Sequence, residues 1–191
     1  AIMNDGQRAL ARGGPGAVMG SKNLKAIVVE GSKKTEIADK EQYNFMVYET
    51  RKLIAANPLT SQALPEFGTV VMMNLVNNVG ALATRNHQHN MFEGAEAISG
   101  ETLAETYLVK NDACWACPIH CTRISKTSKR EGEGPEFQTT WAFGAQCGID
   151  NLEAVIDANF LCNDLGFDTI SAGNTIGCAM ELSEKGHIDS D

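Results

Sequence analysis

Cys114-Trp115-Ala116-Cys117-Pro118-Ile119-His120-Cys121 places three of the six cysteines of this chain within eight residues, at spacings of two and then three. Two residues between the first pair let one tight turn aim both sulfurs at a common point, and Pro118 stiffens the backbone before the third arrives. A structural zinc site usually takes its tetrahedral ligands as two separate pairs. An uneven triple with a distant fourth ligand suits a cubane iron–sulfur cluster instead. A second reading stays open, because cysteine is also a small, frequently buried residue and Trp115 and Ile119 are core formers. Haem c attachment needs His directly after the second Cys, where Pro118 stands. A disulfide framework belongs to short secreted chains. With 191 residues, ample apolar content and no signal-peptide pattern, the thiols read as reduced and the location as cytoplasmic.

Composition describes a packed globular protein, with 43% hydrophobic residues and only five prolines. No apolar run reaches the ~20 residues needed to span a bilayer. A formal charge of −8 without a basic cluster argues against nucleic acid as a partner, since phosphate binding draws on Lys and Arg. The chain opens at Ala1 inside what reads as structured sequence and closes at Ile188-Asp189-Ser190-Asp191, just past a helical pattern. A piece of a longer protein is therefore expected.

Glycine is densest in Arg12-Gly13-Gly14-Pro15-Gly16-Ala17-Val18-Met19-Gly20-Ser21-Lys22-Asn23. Such a run serves equally as a ligand cradle or a tight structural turn. It lacks the Walker order, and it precedes rather than follows the apolar run Leu24 to Val29, which predicts a buried strand. Ser32 to Glu36 is polar and marks a domain boundary.

Beyond it the patterning is mostly helical. Asp39 caps a predicted helix to residue 56, with Tyr43, Met46, Val47, Thr50, Leu53 and Ile54 at three and four spacings. A second helix is predicted from Pro65 to Asn77, closed by Gly80, and a third from Glu101 to Lys110, so that the cysteine motif would follow a helix end. Arg123 to Thr127 alternates like a short strand, and Ser128 to Gly134 reads as a charged turn or loop. Pro135 suits a helix start, continued by Thr139 to Ala145. Asn151 caps a helix through Leu165, and Thr169 or Ser171 opens the last, ending near Lys185-Gly186.

Glu136 stands beside a helix start, either as a general acid or base or as a carboxylate complementing the helix dipole. In Cys162-Asn163-Asp164-Leu165-Gly166-Phe167-Asp168, Gly166 reads as a C-cap and Asp168 as the next N-cap, a local role compatible with carboxylates offered to a ring amine. His87 and His89, two apart, would share one side of an extended segment and line a surface or channel more readily than bind metal. His120 shapes the surroundings of the thiols. Cys147 and Cys178 read as core residues.

With these residues in hand, the chain resembles the aldehyde ferredoxin oxidoreductase family of tungstopterin enzymes. The resemblance rests on Arg12 to Ile27, on Cys114-x2-Cys117-Pro-x2-Cys121, on Gly134-Pro-Glu-Phe137, and on Asn163-Asp-Leu-Gly-Phe-Asp168. It implies a mostly α fold: residues 1–36 as the end of a β-rich pterin-binding domain and 37–191 as most of a helical second domain. It further implies a tungsten (or molybdenum) bis-pterin centre between domains and a 4Fe-4S cluster passing electrons to ferredoxin or an electron-transfer subunit.

By position, Cys114, Cys117 and Cys121 resemble three cluster ligands, the fourth coming from outside this chain. Arg8 and Ala9 resemble pterin-site residues. Asn163 to Asp168, with Asp164 and Gly166, resembles the acidic pterin motif, Asn163 replacing the usual first Asp, whose hydrogen bond is then lost or taken over by Asp164. Gln138 stands where many relatives carry a Glu near the metal. Asp157 to Phe160 does not match the family's Glu-x-x-His iron site, so no such iron is expected. The implied activity is oxidation of a small aldehyde to a carboxylic acid, possible also within a homo-oligomer. Two alternatives remain: the tungsten subunit of an aromatic acyl-CoA reductase, to which Gln138 points, and an iron–sulfur electron-transfer module, which would need neither glycine loop nor acidic turn.

Overall fold

The structure is a computed structural model and describes residues 1–4, 6 and 8–189. Ser190 and Asp191, with which the sequence reading ends, lie outside them. The chain opens with an antiparallel pair, β1 (Ile2–Asn4) and β2 (Arg8–Leu10), in which Asn4 faces Arg8. Pro15 starts the short helix α1 (Pro15–Ser21). The run after it is not a buried strand: Val28 and Val29 are 91% and 86% exposed, and no described strand pairs with them. β-branched residues favour extended backbone, but a strand exists only where a neighbour completes its hydrogen bonds.

Asp39 caps α2 (Lys40–Ala56) as predicted, accepting from the Gln42 amide at 2.9 Å. None of its residues is fully buried, so the apolar spacing gave the helix correctly without giving it a core to face. The helix expected over 65–77 is broken. A π-helical turn (Leu59–Ala63) leads into α3 (Leu64–Phe67), a 3-10 turn spans Gly68–Val71, and α4 (Met72–Asn78) follows. Gly68 causes the break: at φ +65° and ψ −166° it leaves helical space, and an added Cβ would lie 3.1 Å from the Cys121 carbonyl oxygen.

Ser99 caps α5 (Gly100–Thr106), accepting from the Thr102 amide at 3.1 Å. This helix ends four residues sooner than expected. Leu108–Asp112 instead forms β3, paired antiparallel with β4 (Thr122–Lys126), which pairs with β5 (Glu131–Glu133). Pairing partners override local helical preference here. The cysteine motif therefore sits on the β3–β4 connection rather than at a helix end, and the charged turn predicted over 128–134 contains a strand.

Three helices complete the chain: α6 (Phe137–Phe143), α7 (Leu152–Leu165) and α8 (Thr169–Glu184). Asn151 caps α7 by accepting from Ala154 at 3.1 Å, as predicted. The buried face of α7 carries Leu152, Val155, Ile156 and Phe160 at helical spacing. With Leu103, Ile98, Met73 and Phe143 they form the core, each fully buried apolar side chain contributing ~1.5–3 kcal/mol. α8 buries only Gly173 and Gly177. A Cβ added at Gly173 would run into the Ala142 backbone, so α6 and α8 meet backbone to backbone. Cys147 is buried as expected, its thiol pushed up to about 11 by burial. Cys178 is exposed, because it points away from the glycine face of α8.

Candidate cofactor site

Arg8, on β2, reaches from the first hairpin to three groups on the helical part. Its Nη1 donates to Glu136 Oε1 at 2.9 Å, its Nη2 donates to Thr122 Oγ1, and Nη2 lies 3.0 Å from Glu133 Oε1. Burial works against its charge, but Glu133 and Glu136 outweigh that and hold the guanidinium more firmly protonated. Glu136 precedes α6, and its second oxygen accepts from Thr69 Oγ1 at 2.5 Å. Thr69 Oγ1 in turn accepts from the Phe137 amide at 2.9 Å. A helix start, a 3-10 turn and a distant strand thus fix one carboxylate.

A cavity of about 200 Å³ opens here, lined by Arg8, Ala9, Glu133, Glu136, Asn163 and Asp168, among others. The α7–α8 turn delivers the last two. Gly166, in left-handed conformation (φ 69°, ψ 37°), ends α7, and Asp168 caps α8 by accepting from the Ser171 amide at 3.0 Å. The Gly166 carbonyl accepts from the Ala1 nitrogen at 2.6 Å, tying the first hairpin to this turn. Asp164 lies elsewhere. Its oxygens accept from Arg130 at 2.5 and 3.1 Å, which holds its carboxyl below the usual range, and it does not line the cavity. Gln138 is exposed on α6 and does not line it either.

The three thiols lie on the neighbouring loop. The Cys117 amide donates to the Cys114 carbonyl at 2.9 Å, which makes the tight turn the spacing implied. Ala116 and His120 both hold positive φ, at 58°. Cys114 is exposed, Cys117 and Cys121 half-buried. Burial, then the nearby Glu136 carboxylate, push the Cys121 thiol up. Arg123 anchors the loop. Only 1% exposed, it donates to the His120 carbonyl at 2.8 Å and to the Glu66 carbonyl at 3.0 Å, and burial lowers its pKa. His87 and His89 do not share an extended face: Thr84 and His89 bridge a turn, and His87 sets its ring edgewise to Trp141 at 6.1 Å.

Three contributors were not singled out from sequence: Glu133, Arg123 and Thr69. Glu133 stands in Glu131-Gly-Glu133-Gly-Pro-Glu136, where a charged run resembles any solvated turn. In the fold it is 7% exposed. Burial, only partly offset by Arg8 and reinforced by Glu136 and Asp112, pushes it up to about 7. Its Oε1 receives no directed hydrogen bond, because Arg8 Nη2 points to Thr122. A carboxyl raised in the fold favours the native state fully below its ordinary pKa near 4.5, and that contribution is lost as pH rises to about 7. The effect is about 3 kcal/mol at most. Glu133→Gln is expected to flatten the dependence of the denaturant midpoint on pH between 4.5 and about 7. An unchanged slope would show that another group is responsible.

The donor sets fit the groups the sequence resemblance implies. A pterin ring carries both donors and acceptors, and the cavity presents the Arg8 guanidinium, the Asn163 amide, the Asp168 carboxylate and the unsatisfied Glu133 Oε1. Three thiols on one loop, each a potential thiolate, suit an iron–sulfur cluster. No three His, Cys, Asp or Glu side chains among the described residues gather as a single metal ion would require.

Comparison with known proteins places the sequence in a family. Residues 46–191 match the family model "Aldehyde ferredoxin oxidoreductase, domains 2 & 3", and residues 1–31 match "Aldehyde ferredoxin oxidoreductase, N-terminal domain". The chain belongs to the aldehyde ferredoxin oxidoreductase family. It is 50% identical over 189 residues to the tungsten-containing aldehyde ferredoxin oxidoreductase of Pyrococcus furiosus, covering 98% of this chain and 31% of that protein. It is 48% identical over 192 residues to the enzyme of the same name from Thermococcus kodakarensis, covering 100% and 32% respectively. A more distant relative, an aliphatic sulfonate oxidoreductase WOR-like subunit of Pyrococcus furiosus, is 30% identical over 193 residues, covering 97% of this chain and 30% of that one. The chain thus spans about a third of the length of the curated relatives it matches.

Proposed function

We propose that this chain forms part of a tungsten-dependent oxidoreductase that oxidises a small aldehyde to a carboxylic acid and passes the electrons through a 4Fe-4S cluster to ferredoxin or a similar carrier. The observation that carries this reading is the position of Arg8. One guanidinium contacts both the cavity carboxylates Glu133 and Glu136 and Thr122, the residue directly after Cys121. One side chain that touches both the cavity and the residue after the thiol loop supports a short separation between the two cofactors, as internal electron transfer needs. When bound, the tungsten bis-pterin supplies the redox chemistry: aldehyde and water become carboxylic acid, two protons and two electrons.

The protein's own residues do the holding and orienting. Asp168, Asn163, Arg8 and Ala9 would hold the pterin, and Cys114, Cys117 and Cys121 would bind three irons of the cluster. Glu136, fixed by Arg8 and Thr69, is a proton acceptor beside the cavity. In this reading residues 1–36 finish the N-terminal pterin domain and 37–191 begin the helical part; the residues unmatched between the two family models, 32–45, support that division. Gln138, the residue that points to a tungsten subunit reducing an aromatic acyl-CoA, is exposed and outside the cavity lining, so it lends that alternative no support.

No described helix is long and apolar enough to cross a membrane. The test is anaerobic analysis of iron, acid-labile sulfide, tungsten and molybdenum in the complete protein. Tungsten with about four irons per chain, the cubane count, is expected. Iron and sulfide without either heavy metal would leave an electron-transfer module.

A further inference from the structure

Arg123 is the bulkiest of the fully buried side chains, and it has no counter-charge. Its Nη1 and Nη2 donate to two neutral acceptors, the Glu66 and His120 carbonyls, at 3.0 and 2.8 Å, while its Nε is buried without a hydrogen bond. No carboxylate among the described residues forms an ion pair with it. Glu136 is already committed to Arg8 and Thr69. A buried guanidinium matched only by carbonyls is unfavourable unless negative charge stands close by.

The fold fixes this charge beside the thiol loop. Arg123 follows Cys121 by two residues and lies on β4 opposite Asn111 of β3. Asn111 Nδ2 donates to the Pro65 carbonyl at 2.7 Å, so the adjoining α3 residues Pro65 and Glu66 each take a bond from the sheet. Gly68 leaves room for the arginine stem, since a Cβ there would lie 3.2 Å from Arg123 Cγ and Cδ. The bond to the His120 carbonyl holds the peptide that leads into Cys121. Burial lowers the pKa of Arg123, and the negative groups that work against burial are Cys121 and then Glu136. A thiolate at Cys121 therefore supplies the negative charge that Arg123 lacks.

We propose that Arg123 is a positioning residue that holds the Cys121 end of the loop and whose fixed charge raises the reduction potential of the cluster, an inference that rests on the cluster reading above. A positive charge in a poorly screened interior favours the reduced, more negative form of a cluster. Neighbours just outside the ligand set act on a metal site in this way, by orienting ligands and by setting the local charge.

The test is a redox titration of the reduced-cluster paramagnetic resonance signal in the complete, cluster-loaded protein. Arg123→Gln is neutral but can still donate to one carbonyl, and it should lower the reduced-to-oxidised ratio at a given potential roughly tenfold, about 59 mV for one electron. Arg123→Lys keeps the charge and should stay within about threefold of the wild-type ratio. An unmoved potential in Arg123→Gln, or an equal fall in both variants, would overturn the proposal. If Arg123→Gln does not fold, Arg123→Lys decides: a wild-type potential supports the charge role and a tenfold fall overturns it. Wild-type protein without iron or sulfide would instead overturn the cluster reading itself, and this proposal with it.

Discussion

Cys117→Ser in the complete protein is expected to abolish the electron paramagnetic resonance signal of a reduced cluster and to lower iron by about four atoms per chain. The effect should be all or none because a cubane lacking one thiolate corner is not held at the ordinary thiol spacing, and serine is a far poorer ligand for iron. Compared with cluster-free wild-type protein, global stability should move little. Cys117 is half-buried on the β3–β4 connection and lies outside the hydrophobic core, where substitutions usually stay within about 0.5 kcal/mol. Parallel urea unfolding therefore separates a lost ligand from a lost fold. A full reduced-cluster spectrum in this variant would remove Cys117 from the ligand set.

Asp168 caps α8 and, on the proposed reading, also holds pterin, and two substitutions can divide the two roles. Its carboxylate caps α8 through the Ser171 amide and hydroxyl, at 3.0 and 2.5 Å, while also lining the cofactor cavity, with Arg12 Nε 4.0 Å away. Asp168→Ala removes both functions and should cost about 1 kcal/mol of stability from the cap alone. Asp168→Asn keeps a good cap but removes the charge. It should hold stability within about 0.5 kcal/mol while releasing pterin and tungsten roughly tenfold or more, the range expected for losing a hydrogen bond to a charged group. Pterin fluorescence after denaturation and metal content per chain are the readouts. If both variants keep full pterin and tungsten, Asp168 is a cap and nothing more.

How much of this was readable depended on whether the deciding interaction was local. Asp39, Asn151 and Asp168 were legible as caps because a side chain and an amide three residues on are enough to make one. The Cys114–Cys117 turn was legible for the same reason. The failures lie where a distant partner decides. Leu24 to Val29 looks like a strand but finds no neighbour among the described residues, whereas Leu108 to Lys110, read as the end of a helix, is drawn into a sheet by β4. In the site, Asn163 and Asp168 could be placed from their turn. Glu133 could not, since its burial depends on Arg8 arriving from more than a hundred residues away. Asp164 illustrates the converse: the sequence offers it beside Asn163, and one helical step turns it outward to Arg130.

The glycine face of α8 also limits how this site can be redesigned. When two side chains clash, a smaller residue on the opposite helix restores the fit, so pairs of positions can drift together. Gly173 allows no such compensation, because the atoms an added carbon would strike belong to the Ala142 main chain, which is the same whatever residue stands there. Sequence change that keeps the fold should accordingly leave Gly173 fixed, whereas a position such as Gly132, where an added carbon would strike only the Phe160 ring, can change together with its partner.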